Sequence, residues 1–362
     1  MRILFALPGL HQVQRGAEVA FLAVATGLAH AGHAVTLIGS GPELPDHPYR
    51  YLRAPAVARR RFEHFPSLPT VRNDTSWEEL SFTPGFLARY RPRDYDATLT
   101  CAYPFTNWAL RRPVIGGSRP KHIFVTQNGV HPLVSDRSEF RLFGCDGVVC
   151  INPDFFEQTR GRYRAALIPN GVDLARFGPG TAPRARYGLP EGVPIVLMVS
   201  AMIPSKNVAD GIRAVARLPQ AHLVIAGDGP IRAELEALAG ELLPGRYHPV
   251  SVASEAMPDL YRSVDAFLHL SRDESFGNVY VEALATGLPI ATWDQSRTRW
   301  IIGDDAIDYA RGDSIEALAV AIGDALNAGG EGRAIRLERA NRFDWNAIAR
   351  QYADFITEVV AR

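Results

Sequence analysis

Glu274 and Glu282 are separated by seven residues in the stretch SRDESFGNVYVEALATGLPI (271–290), with Phe276 and Gly277 between them. The apolar run AFLHLS just before reads as a buried strand, and the spacing from Asn278 onward reads as a helix over 278–287. The loop between them therefore presents Asp273 and Glu274. The first-turn amides of such a helix, from Asn278 and Val279, are positively polarised and suit a phosphate. Glu282 lies one turn further on, placed to accept hydrogen bonds from ribose hydroxyls. Glu274, in the loop, is placed to meet the hydroxyls of a sugar.

Such a turn needs a scaffold, and the rest of the chain supplies one. Short apolar runs alternate with helical periodicity along all 362 residues, which predicts parallel βα units. Residues 2–7 read as a strand, Ala17 to His30 as a helix closed by Gly32, and AVTLIGS, ATLTCAY, KHIFVTQ and GVVCIN as further strands. From 169 to 194 the texture turns rich in Pro and Gly, as expected of a linker. A second series follows: strands PIVLMVSA, AHLVIAGDG, AFLHLS and LPIATW, with helices near 207–218, 231–240, 314–328 and 344–361. The organisation predicted is an α/β chain of two Rossmann-like domains, 1–168 and 169–345, with a last helix in 346–362 crossing back to the first. Parallel sheets bind ligands at the carboxyl ends of their strands, so two facing sheets predict a central cleft.

Composition narrows the function classes. Hydrophobic residues make up 47% and charged residues 22%, as in a globular protein. Lys plus Arg equals Asp plus Glu at 39 each, so no global field recruits nucleic acid, and attraction to an anion must come from a local patch. No run reaches the roughly 18 apolar residues of a membrane span, and MRILFALPGL reads as a first strand in place of a signal peptide. The three cysteines, Cys101, Cys145 and Cys150, lie in apolar contexts and read as buried thiols of a reducing compartment. The expected location is cytoplasmic, at the inner face of the membrane if the acceptor is a lipid.

The glutamate segment resembles family 4 glycosyltransferases of the GT-B fold, which carry E-[GS]-F-G-x-x-x-x-E-A-x-A-x-G-x-P. The match runs unbroken through Glu274, Phe276, Gly277, Glu282, Ala283, Ala285, Gly287 and Pro289. LVIAGDGP, MPDLYRSVDAFLHLS, IPNGVD (168–173) and RFDWNAIARQY resemble further segments of the family, so the likeness covers about 168–362. In the first half, QVQRGAEVAF is similar to the family's G-G-A-E loop, with Arg15 in place of the first glycine and Gly16 as the second. The resemblance implies a metal-independent, retaining hexosyltransferase and a nucleotide-sugar donor, with UDP favoured as the nucleotide. Glu274 would orient the donor sugar and Glu282 the ribose. Phe276, Gly277, Asn278, Val279 and Gly16 would line the donor, and the base would be met near Val250 to Val252, largely through backbone.

Two departures from the family pattern matter. Where relatives read V-G-R-L-x-P-x-K-G, this chain reads VSAMIPSKN: Lys206 is kept for the diphosphate, but Ala201 replaces the arginine. That loses a bidentate phosphate contact, for which Arg272, Arg246 or Arg15 is available as a substitute. In HIFVTQNGVHP, Gln127 stands where relatives place a His near the donor sugar, and nearby His131 reads as structural. Gln127 can hydrogen-bond but cannot shuttle a proton. The implied mechanism is departure of the nucleoside diphosphate with same-face attack by the acceptor, the leaving phosphate taking the acceptor's proton.

Rival readings fit less well. A Rossmann oxidoreductase wants G-x-G-x-x-G after the first strand, and PGLHQVQRG lacks it. A glycoside hydrolase flanks its bond with two carboxylates, whereas these two belong to one loop-helix unit beside a phosphate site. A GT-B sugar- or lipid-binding relative that has lost catalysis is the alternative that Ala201 and Gln127 keep open. Asp94-Tyr95-Asp96 has the Asp-x-Asp form of a metal-diphosphate site but reads as a solvated turn, and no metal is expected. Arg53, Arg59, Arg60 and Arg61 beside Phe62 and Phe65 form a basic stretch suited to anionic headgroups. The acceptor, whether glycan, lipid-linked or small, is not named by the sequence.

Overall fold

A computed structural model describes every residue except 69, 138, 139, 305, 306 and 311, with the side chains of 307–309 also outside the description. The chain divides into two compact units, Met1–Asn170 with Trp345–Arg362, and Gly171–Asp344.

The first unit is built on a parallel sheet of β1 (Arg2–Ala6), β2 (Ala34–Gly39), β3 (Arg50–Arg53), β4 (Ala97–Thr100), β5 (Lys121–Val125), β6 (Gly147–Cys150) and β7 (Ala165–Leu167). Their order is β3-β2-β1-β4-β5-β6-β7. The second unit carries β8 (Ile195–Val199), β9 (His222–Ala226), β10 (Tyr247–Val250), β11 (Ala266–His269), β12 (Ile290–Trp293) and β13 (Ile307–Ala310), ordered β10-β9-β8-β11-β12-β13. Both sheets reverse their winding once, between β1 and β4 and between β8 and β11. Such a reversal opens a crevice at the carboxyl ends of the strands, where ligands bind in sheets of this kind.

Strands covered by helices on both faces must be apolar along their whole length. Ile3 to Ala6, Ile195 to Met198 and Phe267 to Leu268 are all removed from water. Those interior strands are legible in the sequence. The four that escape it, β3, β7, β10 and β13, are the edge strands of the two sheets. An edge strand needs apolar residues on fewer sides and tolerates a missing amide, as Pro249 does in β10. The helices Asp74–Arg89, Ser296–Ile302 and Arg333–Asn341 were likewise not read.

The last helix, Trp345–Val360, belongs to the first unit, where it packs on the helix Gly16–His30. Two glycines let it come close. A Cβ on Gly27 would stand 2.4 Å from that of Ala349, and one on Gly147 would stand 2.8 Å from Val359.

Candidate functional site

Lys206 and Glu274 come from the loops that follow β8 and β11, one on each side of the winding reversal in the second unit. Their positions are set by backbone. Ser200 and Met202 donate to the carbonyls of Ala226 (3.0 Å) and Asp228 (2.9 Å), tying the lysine loop to the turn after β9. Only glycine fits that turn, because a Cβ on Gly227 would lie 1.9 Å from the Ser200 carbonyl oxygen. Asn207 then takes a left-handed conformation (φ 51°), and its Nδ2 donates to the Leu270 carbonyl at 3.0 Å. Asn tolerates this conformation better than other side chains do, which explains its place where the family pattern has glycine.

Lys206 Nζ donates to Glu274 Oε1 and, at 3.3 Å, to Ser271 Oγ. The same carboxylate oxygen lies 3.1 Å from Nε2 of His269, the last residue of β11. The imidazole is buried, edge-on to Tyr280 with ring centroids 5.0 Å apart. Burial pushes the Glu274 carboxyl up, but the bonds and charges of His269 and Lys206 outweigh it and hold the group down at about 2. Arg297, from the helix Ser296–Ile302, donates to the Glu274 backbone carbonyl and fixes the loop from the other side. The two groups assigned separately to diphosphate and sugar are thus a single ion pair here.

Glu274 is followed by Phe276, which is buried between Trp300 and Phe343, and by Gly277 at φ 88°. A Cβ on Gly277 would stand 2.7 Å from the Tyr280 ring, so both its dihedral and its surroundings demand glycine. The helix Asn278–Thr286 starts there, with Asn278 and Val279 in its first turn as read from the sequence. Glu282 reaches inward to the Tyr261 hydroxyl, which donates to its Oε2 at 2.9 Å. Burial lifts this carboxyl to about 7 in spite of that bond. Val250 ends β10 and Val252 lies in the loop beyond it, also at the carboxyl end of the sheet.

Other residues singled out in the sequence fall elsewhere. Gly16 is not a loop residue: it is the first residue of the helix Gly16–His30, where no positive φ is required. Arg15 precedes it, 3.0 Å from Glu18 and 3.8 Å from Glu78. Gln127 lies in the turn after β5, its amide locked reciprocally to that of Asn170 by bonds of 2.5 and 3.1 Å. Arg246 cannot replace the missing arginine at Ala201. It donates to the Leu218 and Ala221 carbonyls (2.9 and 2.8 Å) at the amino end of the sheet, away from Lys206. Arg272 is on the glutamate loop, 2.8 Å from Asp313, with its guanidinium 4.7 Å above the Trp293 ring. Asp96 is paired with Arg2 at 2.6 Å at the amino end of the first sheet. Arg59 turns onto Glu78 at 3.0 Å and is not available to a headgroup, which leaves Arg60 and Arg61 outward. No described helix is long and apolar enough to cross a membrane.

His269, Asn207 and Tyr261 hold the site but were not identified from the sequence. Each had a signal: a histidine inside an apolar strand, an asparagine at a family glycine, a tyrosine in MPDLYRSVD.

Residues 14–176 match the family description Glycosyltransferase Family 4, and residues 181–349 match Glycosyl transferases group 1. The chain belongs to glycosyltransferase family 4. A GDP-mannose-dependent alpha-mannosyltransferase of Mycobacterium tuberculosis is 34% identical over 134 residues, 36% of this chain and 34% of that protein. The chain thus spans about a third of that curated relative's length. Among solved structures, sucrose-phosphate synthase from Thermosynechococcus elongatus superposes with a TM-score of 0.78 at 21% identity, covering 99% of both chains. Anabaena HepE, in complex with UDP and glucose, gives 0.70 at 19% identity, covering 98% of this chain and 99% of that one. At those identities the likeness establishes the GT-B fold.

Proposed function

We propose that this chain is a retaining hexosyltransferase that takes its sugar from a nucleotide-sugar, UDP-linked in our reading, and needs no metal ion. The observation that carries the proposal is the Lys206–Glu274 pair beside the helix start at Asn278. A cation, a carboxylate and a polarised helix end lie together at the winding reversal of one sheet. An incoming diphosphate would take Lys206 from Glu274. The freed carboxylate would then accept from the donor sugar's hydroxyls, while Lys206 and the helix end stabilise charge developing on the leaving group. Glu282 would hold the ribose, and the departing phosphate would receive the acceptor's proton.

Relatives support a nucleotide-linked donor and differ in its base: the M. tuberculosis protein is named for GDP-mannose, and HepE was solved with UDP. A lipid-linked acceptor would bring Arg60 and Arg61 to a membrane surface. The test is a thermal-shift and hydrolysis screen over UDP-, GDP-, ADP- and TDP-sugars with EDTA present, on the wild type and Glu282→Ala. One donor that stabilises the wild type, fails to stabilise the variant and is slowly hydrolysed without metal supports the proposal and names the donor. No response to any donor would leave a sugar- or lipid-binding relative without catalysis.

A further inference from the structure

Two histidines at the edge of the second sheet take no part in the donor chemistry, yet they are bonded to each other. Nδ1 of His222 lies 2.9 Å from Nε2 of His248. The ring planes differ by 12° and the centroids are 5.2 Å apart, nearly the N···N distance extended by two ring radii, so the nitrogens meet head-on. His222 opens β9 and His248 is the second residue of β10. Because Tyr247 pairs with Leu223, both histidines stand on one face of the sheet, where each is half-buried.

The strand they tie down is weakly held. β10 is at the edge, with β9 as its neighbour in the sheet. Pro249 brings no amide to the ladder. A side-chain bond therefore matters more here than on an interior strand.

We propose that the His222–His248 pair is a pH-sensitive latch, closed with one added proton or none and opened by a second, which frees β10 and the segment running on to Val252. Its consequence for the donor rests on the transferase reading, in which Val250 to Val252 meet the base.

The chemistry follows from the bond itself. Two imidazoles bond when one facing nitrogen carries a proton and the other is bare. The neutral pair meets that condition. A first added proton goes to the outer nitrogen of the donor ring, which keeps the bond and makes it charge-assisted. The accepting ring already carries its own proton on its outer nitrogen. A second added proton must enter the facing nitrogen, setting N–H against N–H and cation against cation at 2.9 Å.

The surroundings sharpen this response. Arg246, fixed on the Leu218 and Ala221 carbonyls, adds a further positive charge beside His222. Glu236 and Arg232 act instead on Tyr247, whose side chain points to the opposite face. No carboxylate acts on either ring among the described residues. Burial and then Arg246 lower His222, and burial and then His222 lower His248. The unfolded chain therefore holds these protons more tightly, and the latch loses its stabilisation as pH falls below the ordinary 6.5.

Hydrogen exchange on the full chain, corrected for intrinsic rates, reads the latch. Between pH 7 and pH 5 the segment 246–252 should lose about ten-fold or more of its protection, while β8 keeps its own. His248→Gln supplies a partner that does not titrate and accepts from His222 in either charge state, so its protection should hold at pH 5. His222→Phe, with no bond to make, should be less protected at both values. Unchanged protection in the wild type, or the same acid loss in both variants, overturns the latch. Calorimetry with UDP and GDP reads the link to the donor. Between pH 6 and pH 5, affinity for the nucleotide that binds should fall about three-fold further in the wild type than in His248→Gln, as the closed fraction shrinks. An equal fall in the two overturns the link. A working latch in a chain that binds no nucleotide at any pH sinks the transferase reading, and the link with it, and leaves the latch.

Discussion

His269 Nε2 lies 3.1 Å from Glu274 Oε1, so a carboxylate assigned to the donor sugar is gripped from behind by a buried imidazole. Under the proposed function, this grip would keep Glu274 in one direction both while Lys206 pairs with it and after a diphosphate took the lysine away.

Replacing His269 by Leu should therefore weaken donor binding without unfolding the unit. Orphaning one partner of a buried hydrogen bond costs about 1–3 kcal/mol, and about 1.4 kcal/mol is a ten-fold rise in Kd. Glu274 would lose one of the two partners that hold it at about 2, so the acid limb of donor binding should move to higher pH. Titration calorimetry from pH 4 to 7 reads both effects, and an unchanged Kd and unchanged limb would remove His269 from the site.

Glu282 predicts a pH dependence of opposite origin. Its carboxyl is raised to about 7 by burial, so below that pH it is largely protonated and offers ribose hydroxyls a weaker acceptor. Donor affinity should rise between pH 6 and pH 8, with a proton released on binding. In Glu282→Gln the affinity should be lower throughout and flat with pH. A wild-type affinity that falls over this interval would contradict the ribose assignment.

Two raised carboxyls contribute a fall in stability over an overlapping range. Glu79 and Glu282 both titrate at about 7 in the folded chain, against 4.5 as the ordinary value. Between those values the folded state holds more protons than the unfolded one, so stability declines as pH rises from about 4.5 to about 7. Glu274 is displaced downward and contributes only below 4.5, where its stabilisation is lost as pH falls toward 2. The buried His122, held down at about 3, acts in the opposite sense below about 6.5, so the carboxyl contribution is read as a difference. Between pH 5 and pH 7.5, urea denaturation should show Glu79→Gln losing less stability, or gaining more, than the wild type.

Asn207→Ala should cost more than Asn207→Gly. Alanine at φ 51° meets a left-handed penalty of about 1–2 kcal/mol, on top of the lost bond to Leu270. Glycine loses only the bond. Chemical denaturation ranks the two, and a donor KM raised in both would show that the strap also positions Lys206.

Much of the architecture was legible because its signal is local. The nine interior strands announce themselves as apolar runs, while the four edge strands, such as RYLR and YHPV, carry too little apolar pattern to be seen. The spacing of the glutamates made their placement legible, Glu274 on the loop and Glu282 in the helix Asn278–Thr286. What the sequence could not express is which groups would meet. Gln127 is locked to Asn170, 43 positions away, and that pairing depends on where β5 ends. Arg246 looked as available as Arg272 until the strands assigned them to opposite ends of the sheet. Arg59 looked outward in a basic run until the helix Asp74–Arg89 offered it Glu78.

The last helix belongs to the first unit, so the second unit is an insertion, entered at Gly171 and left at Asp344. Val172 bridges Asp344 as a parallel pair, and its amide donates to the Phe343 carbonyl at 2.7 Å. The inserted piece thus begins and ends at the same place. A clone stopped after residue 170 would lack the helix that covers Gly27 and Gly147, whereas one spanning 171–344 would keep its sheet whole with its ends side by side.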